Sequence, residues 1–325
     1  MVESTTPPDS DDSINPNTDS TGEIGSPKRR RWPWLMLAAL PFLAGYFAIS
    51  QANPKTDATP VATFEAIDAD PNDAAIKAGG EIENALLTIE DVLVEANATI
   101  QRMSSSLDDY TATFVKQERG DDGVLSPEGR IAIKSQTRLR NATDDAPRRI
   151  YLKFEAPPAV AGREVIWAEG ENDGKMAVHE VGFLLGMRTL WLDPTGMLAM
   201  QGQKYPISEI GLVKLAEKLI DRGEKLKGES DVKITRVDDH DFDGHPTTLF
   251  RIERSTPSGA EDDFKVAELV IDFDRNLVLL YRSFGWPKDG QTLPLLESYA
   301  YQNVEVNVGL DASDFDTKNP NYNFP

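Results

Sequence analysis

The sequence predicts an α+β domain: a curved, mostly antiparallel sheet, an incomplete β-barrel, wrapped on two or three helices. Two observations carry that expectation. From Tyr110 onward, apolar residues recur with a period of two in roughly ten or eleven short runs. Two other stretches, near residues 83–103 and 208–222, change to a spacing of three and four. Hairpin signals such as Asn172-Asp173-Gly174 separate many of the short runs.

In chain order, residues 1–31 are rich in Ser, Thr, Pro, Asp and Gly and read as a disordered cytoplasmic tail that ends in the basic cluster Lys28–Arg31. An uncharged run from Trp32 to Ile49 follows. At 1.5 Å per residue, its roughly 27 Å helix approaches the ~30 Å hydrocarbon layer. Residues 32–52 therefore read as a transmembrane signal anchor in the inner membrane. The alternative is a signal peptide cleaved near Ala52, which would leave a soluble periplasmic protein. Lys28–Arg31 hold the tail inside, so everything after residue 55 faces the periplasm. Residues 53–79 read as a linker, and 80–325 as the β-rich domain.

Within that domain, Leu86, Ile89, Leu93, Ala96, Ile100 and Met103 form one helical stripe. Strands follow around Tyr110–Phe114, Ile131–Ile133, Ile150–Phe154, Val165–Trp167 and Met176–Val178. Residues 180–206 are punctuated by Gly and Pro and read as a loop. A helix is expected over Ser208–Arg222, capped by Ser208 and ended by Gly223. Strands resume at Val232–Val237, Thr247–Ile252, Lys265–Ile271, Leu277–Arg282 and Leu295–Val308.

Charge and composition exclude several functions. After residue 51, 30 basic residues face 48 acidic ones, which argues against nucleic acid as a partner. The absence of cysteine removes disulfides, thiolate catalysis and Cys-ligated zinc. No cofactor is implied. The three histidines lack metal spacing, and no serine lies in G-x-S-x-G. Asp239, Asp241, Asp243 and Gly244 imitate the opening of a calcium loop, but the bidentate position falls on Phe250, so no metal site is expected. Glu164, Glu169, Glu171 and Asp173 crowd one hairpin, the weak basis for a hydrolase alternative.

The constellation that stands out is rich in methionine and tryptophan. Trp167, Met176, Met187, Trp191, Met197 and Met200 fall within about 35 residues, and Phe154 joins them as expected lining. Methionine adapts to irregular apolar partners. The stretch reads either as a core plug or as the wall and lid of an apolar ligand cavity.

Tyr110–Arg119, Gly162–Val165, Asn172–Lys175, Trp191–Gly196, Tyr205–Gly211 and Asn307–Asp311 with Asp314–Asp316 resemble the bacterial family known as domain of unknown function 1571. The resemblance covers roughly residues 80–325 and carries over no catalytic residues. The order of a helix followed by many antiparallel strands is similar to the lipoprotein-carrier superfamily. That likeness implies a half-barrel with helices on its concave face and acyl chains held there. The expected function is non-enzymatic binding of a lipid or lipoprotein acyl chain. The alternative is a membrane-tethered sensor or interaction domain for an envelope protein partner.

Overall fold

In the computed structural model the described residues are 87–137, 147–182, 186–260, 262–288 and 291–325. The chain divides into two units, Met1–Pro54 and Lys55–Pro325, and every described residue belongs to the second. The expected tail, membrane segment 32–52 and linker lie outside the described residues. None of the described helices is long and apolar enough to cross a membrane.

Among the described residues, eleven antiparallel strands form one open sheet in the order β6-β5-β4-β3-β2-β1-β11-β10-β9-β8-β7. They are β1 (Asp109–Glu118), β2 (Gly129–Gln136), β3 (Arg149–Ala156), β4 (Glu164–Ala168), β5 (Met176–His179), β6 (Leu190–Leu192), β7 (Val232–Phe242), β8 (His245–Arg254), β9 (Val266–Asp272), β10 (Leu277–Phe284) and β11 (Leu295–Val306). Each half is a run of sequential antiparallel neighbours. The halves join where β1 pairs with β11, with Phe114 opposite Tyr301 and Lys116 opposite Tyr299. Among the described residues β6 and β7 do not pair, so the sheet does not close into a barrel.

Helix α1 (Ile89–Ser106) packs on helix α3 (Leu212–Glu224), and both lie against the sheet; α2 (Met197–Met200) is a single turn. Thr88 and Asp91 cap α1 reciprocally: Asp91 Oδ2 accepts from the Thr88 N–H at 2.9 Å and Thr88 Oγ1 from the Asp91 N–H at 3.3 Å. Ile89, Val92, Leu93 and Met103 form its buried stripe. Where α1 meets α3, Gly223 lets the helices touch: a Cβ there would lie 2.7 Å from Leu93 Cδ2.

Helix α3 begins later than its spacing predicts. Ser208 lies in a 3-10 turn, Ile207–Glu209, and Gly211 is the N-cap. Gly211 has φ 126° and no side chain with which to cap. The sheet supplies the acceptors instead: the Gly211 N–H donates to Tyr301 Oη at 2.9 Å and the Leu212 N–H to Tyr110 Oη at 3.1 Å. Gly223 is inside the helix, not beyond its end. The region 180–206, read as loop, contributes the edge strand β6 and the turn α2.

On the opposite face of β3, β4 and β5, the segment 310–324 covers Tyr151, Ile166 and Ala177 with Leu310, Phe315, Tyr322 and Phe324. Tyr151 and Tyr322 stack with centroids 4.1 Å apart, and Lys134 Nζ lies over both rings. Of the acidic run 239–244, residues 239–242 end β7 and Asp243-Gly244 form the hairpin turn to β8, with Asp243 at φ 57° and Gly244 at φ 78°.

Candidate functional site

Residues of one strand face spaced by two carry the site. Phe114, Lys116 and Glu118 of β1 and Glu297, Tyr299 and Tyr301 of β11 share a face with Tyr281 of β10. All of them but Glu297 floor a cavity roofed by Tyr205, Ile210, Gly211 and, from α3, Leu215, Leu219 and Arg222. Its volume is about 40 Å³. The inner wall is aromatic: Phe114 stacks on Tyr301 at 4.8 Å between centroids, and Tyr205 meets Tyr299 edge-on at 6.0 Å.

The outer wall is a polar network. Glu118 and Glu297 are buried, at 7% and 2% exposure. Arg222 Nη1 donates to Glu297 Oε1 at 2.6 Å, and Lys204 Nζ to Glu297 Oε2 at 2.8 Å. Lys116 Nζ donates to Glu118 Oε2 at 3.0 Å and to Gln203 Oε1 at 2.7 Å. The Lys204 N–H donates to Glu118 Oε2 at 3.1 Å, the Tyr299 hydroxyl to Glu118 Oε1 at 2.8 Å, and Arg222 Nη2 to Tyr205 Oη at 2.9 Å. The segment 203–205 is thereby fixed to the sheet by charged hydrogen bonds. Lys218 lies 3.9 Å from the centre of the Tyr205 ring and bonds Glu209 at 3.0 Å.

The titrations follow from this arrangement. Burial pushes the Glu297 carboxyl up, but Arg222 and Lys204 outweigh it and hold it below the usual carboxylate range. Burial lowers the Lys116 ammonium against the pull of Glu118. Burial also raises Tyr281, to about 12, and raises Tyr205 and Tyr299 further. At neutral pH the tyrosines are hydroxyl donors and Glu297 is an anion.

A second cavity, of about 150 Å³, lies beside the first turn of α3. Tyr110, Ser135, Thr137, Arg148, Lys214 and Glu217 contribute to its lining, and Ile210 and Gly211 line both cavities.

Neither of these two cavities is lined by the seven residues singled out from the sequence. Trp167 and Met176 are buried, each at 7% exposure, and belong to the main core. Phe154 is half-buried against that core, under the Arg163 guanidinium. Met200 is half-buried after α2 begins, while Met187, Trp191 and Met197 are 63%, 45% and 86% exposed around β6 and α2. Of the acidic hairpin residues, Glu164 is fully buried and accepts from the Asn323 N–H at 2.8 Å and Asn323 Nδ2 at 3.0 Å. Glu171 pairs with Arg149 at 2.8 Å. Among the described residues no group of three or more His, Asp or Glu side chains could hold a metal ion.

No curated protein matches the chain. Among solved structures, a DUF1329 family protein from Desulfovibrio piger aligns at 13% identity and a TM-score of 0.31, covering 70% of this chain and 97% of that one. A domain described as an outer membrane lipoprotein-sorting protein, from Vibrio parahaemolyticus, aligns at 11% identity and a TM-score of 0.33, with the same coverages of 70% and 97%. MucB of Pseudomonas aeruginosa, solved with MucA, aligns at 15% identity and a TM-score of 0.38 over 68% of this chain and 60% of that one. The profile of the family described as protein of unknown function DUF1571 matches residues 107–324, two-thirds of the chain, and the protein belongs to that family.

Proposed function

We propose that the domain is an extracytoplasmic, non-enzymatic binding module that takes an apolar group, a lipid or a lipoprotein acyl chain, onto its sheet beneath α3. The observation that carries this reading is the unlike pair of walls around the small cavity. The inner wall is aromatic and aliphatic, whereas the segment that closes it, 203–205, is held by ion pairs and hydrogen bonds. Water can replace such bonds when the segment lifts, so opening exposes the apolar wall without dismantling the core. In the closed arrangement about 40 Å³ holds a few waters at most, since one needs about 10–15 Å³. An acyl chain therefore enters only with movement of 203–211, and each methylene buried contributes about 0.8 kcal/mol.

Photocrosslinking tests this on the full chain in membranes. Palmitate carrying a diazirine should label peptides containing Tyr205–Arg222 and Tyr281–Tyr301, and Lys204→Ala should increase the yield. Label confined to residues 32–49, or none, would reject the reading. A second reading, an envelope protein partner, is favoured by one observation: Met187, Trp191, Met197 and Leu198 are exposed beside the open edge of β6. Loss of partner capture in Trp191→Ser, with palmitate labelling absent, would support it instead.

A further inference from the structure

The roughly 150 Å³ cavity beside α3 has a different chemistry from the aromatic one. Arg148 comes into it from just before β3, half-buried, with its guanidinium 5.1 Å from the centre of the Trp167 ring. Two N–H groups of Arg148 are directed at main-chain carbonyls, Nη1 to Ile210 O at 3.2 Å and Nη2 to Ser208 O. Among the described residues no carboxylate pairs with it. A guanidinium has five N–H groups and cannot shed its charge; this half-buried one is bonded, among the described residues, to main-chain carbonyls, and Glu169, Glu209 and Glu217 act on it only as nearby charges. Burial lowers its pKa, with Glu169 the largest opposing charge.

The remaining lining agrees. Lys214 adds a second cation and the buried Ser135 a hydroxyl, whereas the Thr137 hydroxyl already donates to the Leu107 and Asp108 carbonyls. Val213 and Lys214 belong to the first turn of α3, where main-chain N–H groups favour negative charge. Two carboxylates also line the cavity. Glu217 is exposed and bonded to Lys214 at 2.7 Å, and Glu169 is half-buried. The volume equals that of a cavity able to hold benzene, so a single phosphate or carboxylate group fits.

We infer that this cavity binds an anionic group, a phosphate or carboxylate carried on a lipid head or free in solution, with Arg148 as its principal ligand. Because Ile210 and Gly211 line both cavities, an amphiphile could place its chain in one and its head in the other. That lipid arm rests on the function proposed above; the anion site itself does not.

The test uses the full chain in dodecyl maltoside, which is uncharged and free of phosphate. Radiolabelled inorganic phosphate in equilibrium dialysis should bind once per chain, and Arg148→Gln should weaken it at least tenfold. Ser135→Ala should weaken it several-fold and serves if Arg148→Gln melts early. Dodecanoate should displace the label at least tenfold better than its methyl ester if the group is a lipid head. Equal or no displacement by the two assigns the site to a free anion. Phosphate binding absent in the parent, or unchanged in both variants, overturns the inference. That outcome with palmitate labelling intact leaves the apolar site standing, and the reverse result leaves only the anion site.

Discussion

Glu297 lies almost wholly out of water, yet Lys204, Arg222, Tyr205 and Tyr299 all converge on its two oxygens within 3.3 Å. A buried carboxylate is tolerated only when paired this fully. Its folded-state pKa is lowered from the ordinary 4.5. The stability it contributes is therefore present above about pH 4.5 and is lost as the pH falls through the lowered folded value. Tyr281 has the opposite sign. Burial raises it from 10 to about 12, so its contribution is complete below pH 10 and is lost as the pH rises through 12. Urea unfolding across pH should show a plateau between these limits. Glu297→Gln should cost about 3 kcal/mol at pH 7 and flatten the acid limb. An acid limb unchanged by the substitution would place the pH dependence elsewhere.

At the scale of elements, α1 and α3 meet through Gly223, where a Cβ would clash with Leu93 Cδ2. Gly223→Ala gains about 1 kcal/mol in helix propensity, whereas overpacking a tight contact costs about 1–3 kcal/mol. The net change should be destabilising in the parent and stabilising in a Leu93→Ala background. A double-mutant cycle showing no coupling between the two positions would remove Gly223 as the reason the helices approach so closely.

The same elements show how far the sequence could be read. The long strands were legible because one face is buried and the period of two is clean, as in Ile131 and Ile133 or Tyr110, Ala112 and Phe114. Strand β6 was not, because three residues among Gly and Pro carry no measurable period. The start of α3 was misplaced because its caps are tyrosine hydroxyls from β11 and β1, 90 and 102 residues distant in sequence. The cavity residues were missed for a related reason: Glu118, Tyr205, Arg222 and Glu297 come from separate parts of the chain. A local signal did exist. Extending the inward series past Phe114 places Lys116 and Glu118 on the core side of β1, and charges at core positions of a strand mark a polar site. The methionine-rich stretch drew attention by composition, which says nothing about which of those side chains are inside.

On the scale of the whole molecule, the two ends of the sheet are finished differently. The β7 edge is long but carries Lys233, Arg236, Asp238, Asp239 and Asp241 and a bulge between Val237 and His240, devices that oppose edge-to-edge pairing. Near the β6 end, segment 310–324 instead covers one face of the neighbouring strands β3, β4 and β5. That strap is tied down at two buried acids. Asp109 accepts from the Gly309 and Leu310 N–H groups, each at 3.1 Å, and Glu164 accepts twice from Asn323. Truncation after Pro320 should therefore do more than shorten an end. It removes Tyr322 and Phe324 from Tyr151, Ile166 and Ala177, and it leaves the Glu164 carboxylate without the two donors it has from Asn323. The expected loss is about 3 kcal/mol or more. Glu164→Leu in the truncated chain should recover part of it, because a buried charge left with fewer donors is gone, whereas the same substitution in the full chain should destabilise by stranding Asn323. Urea midpoints of the four proteins decide the matter. A truncated chain as stable as the parent would show that segment 321–325 does not secure this side of the sheet.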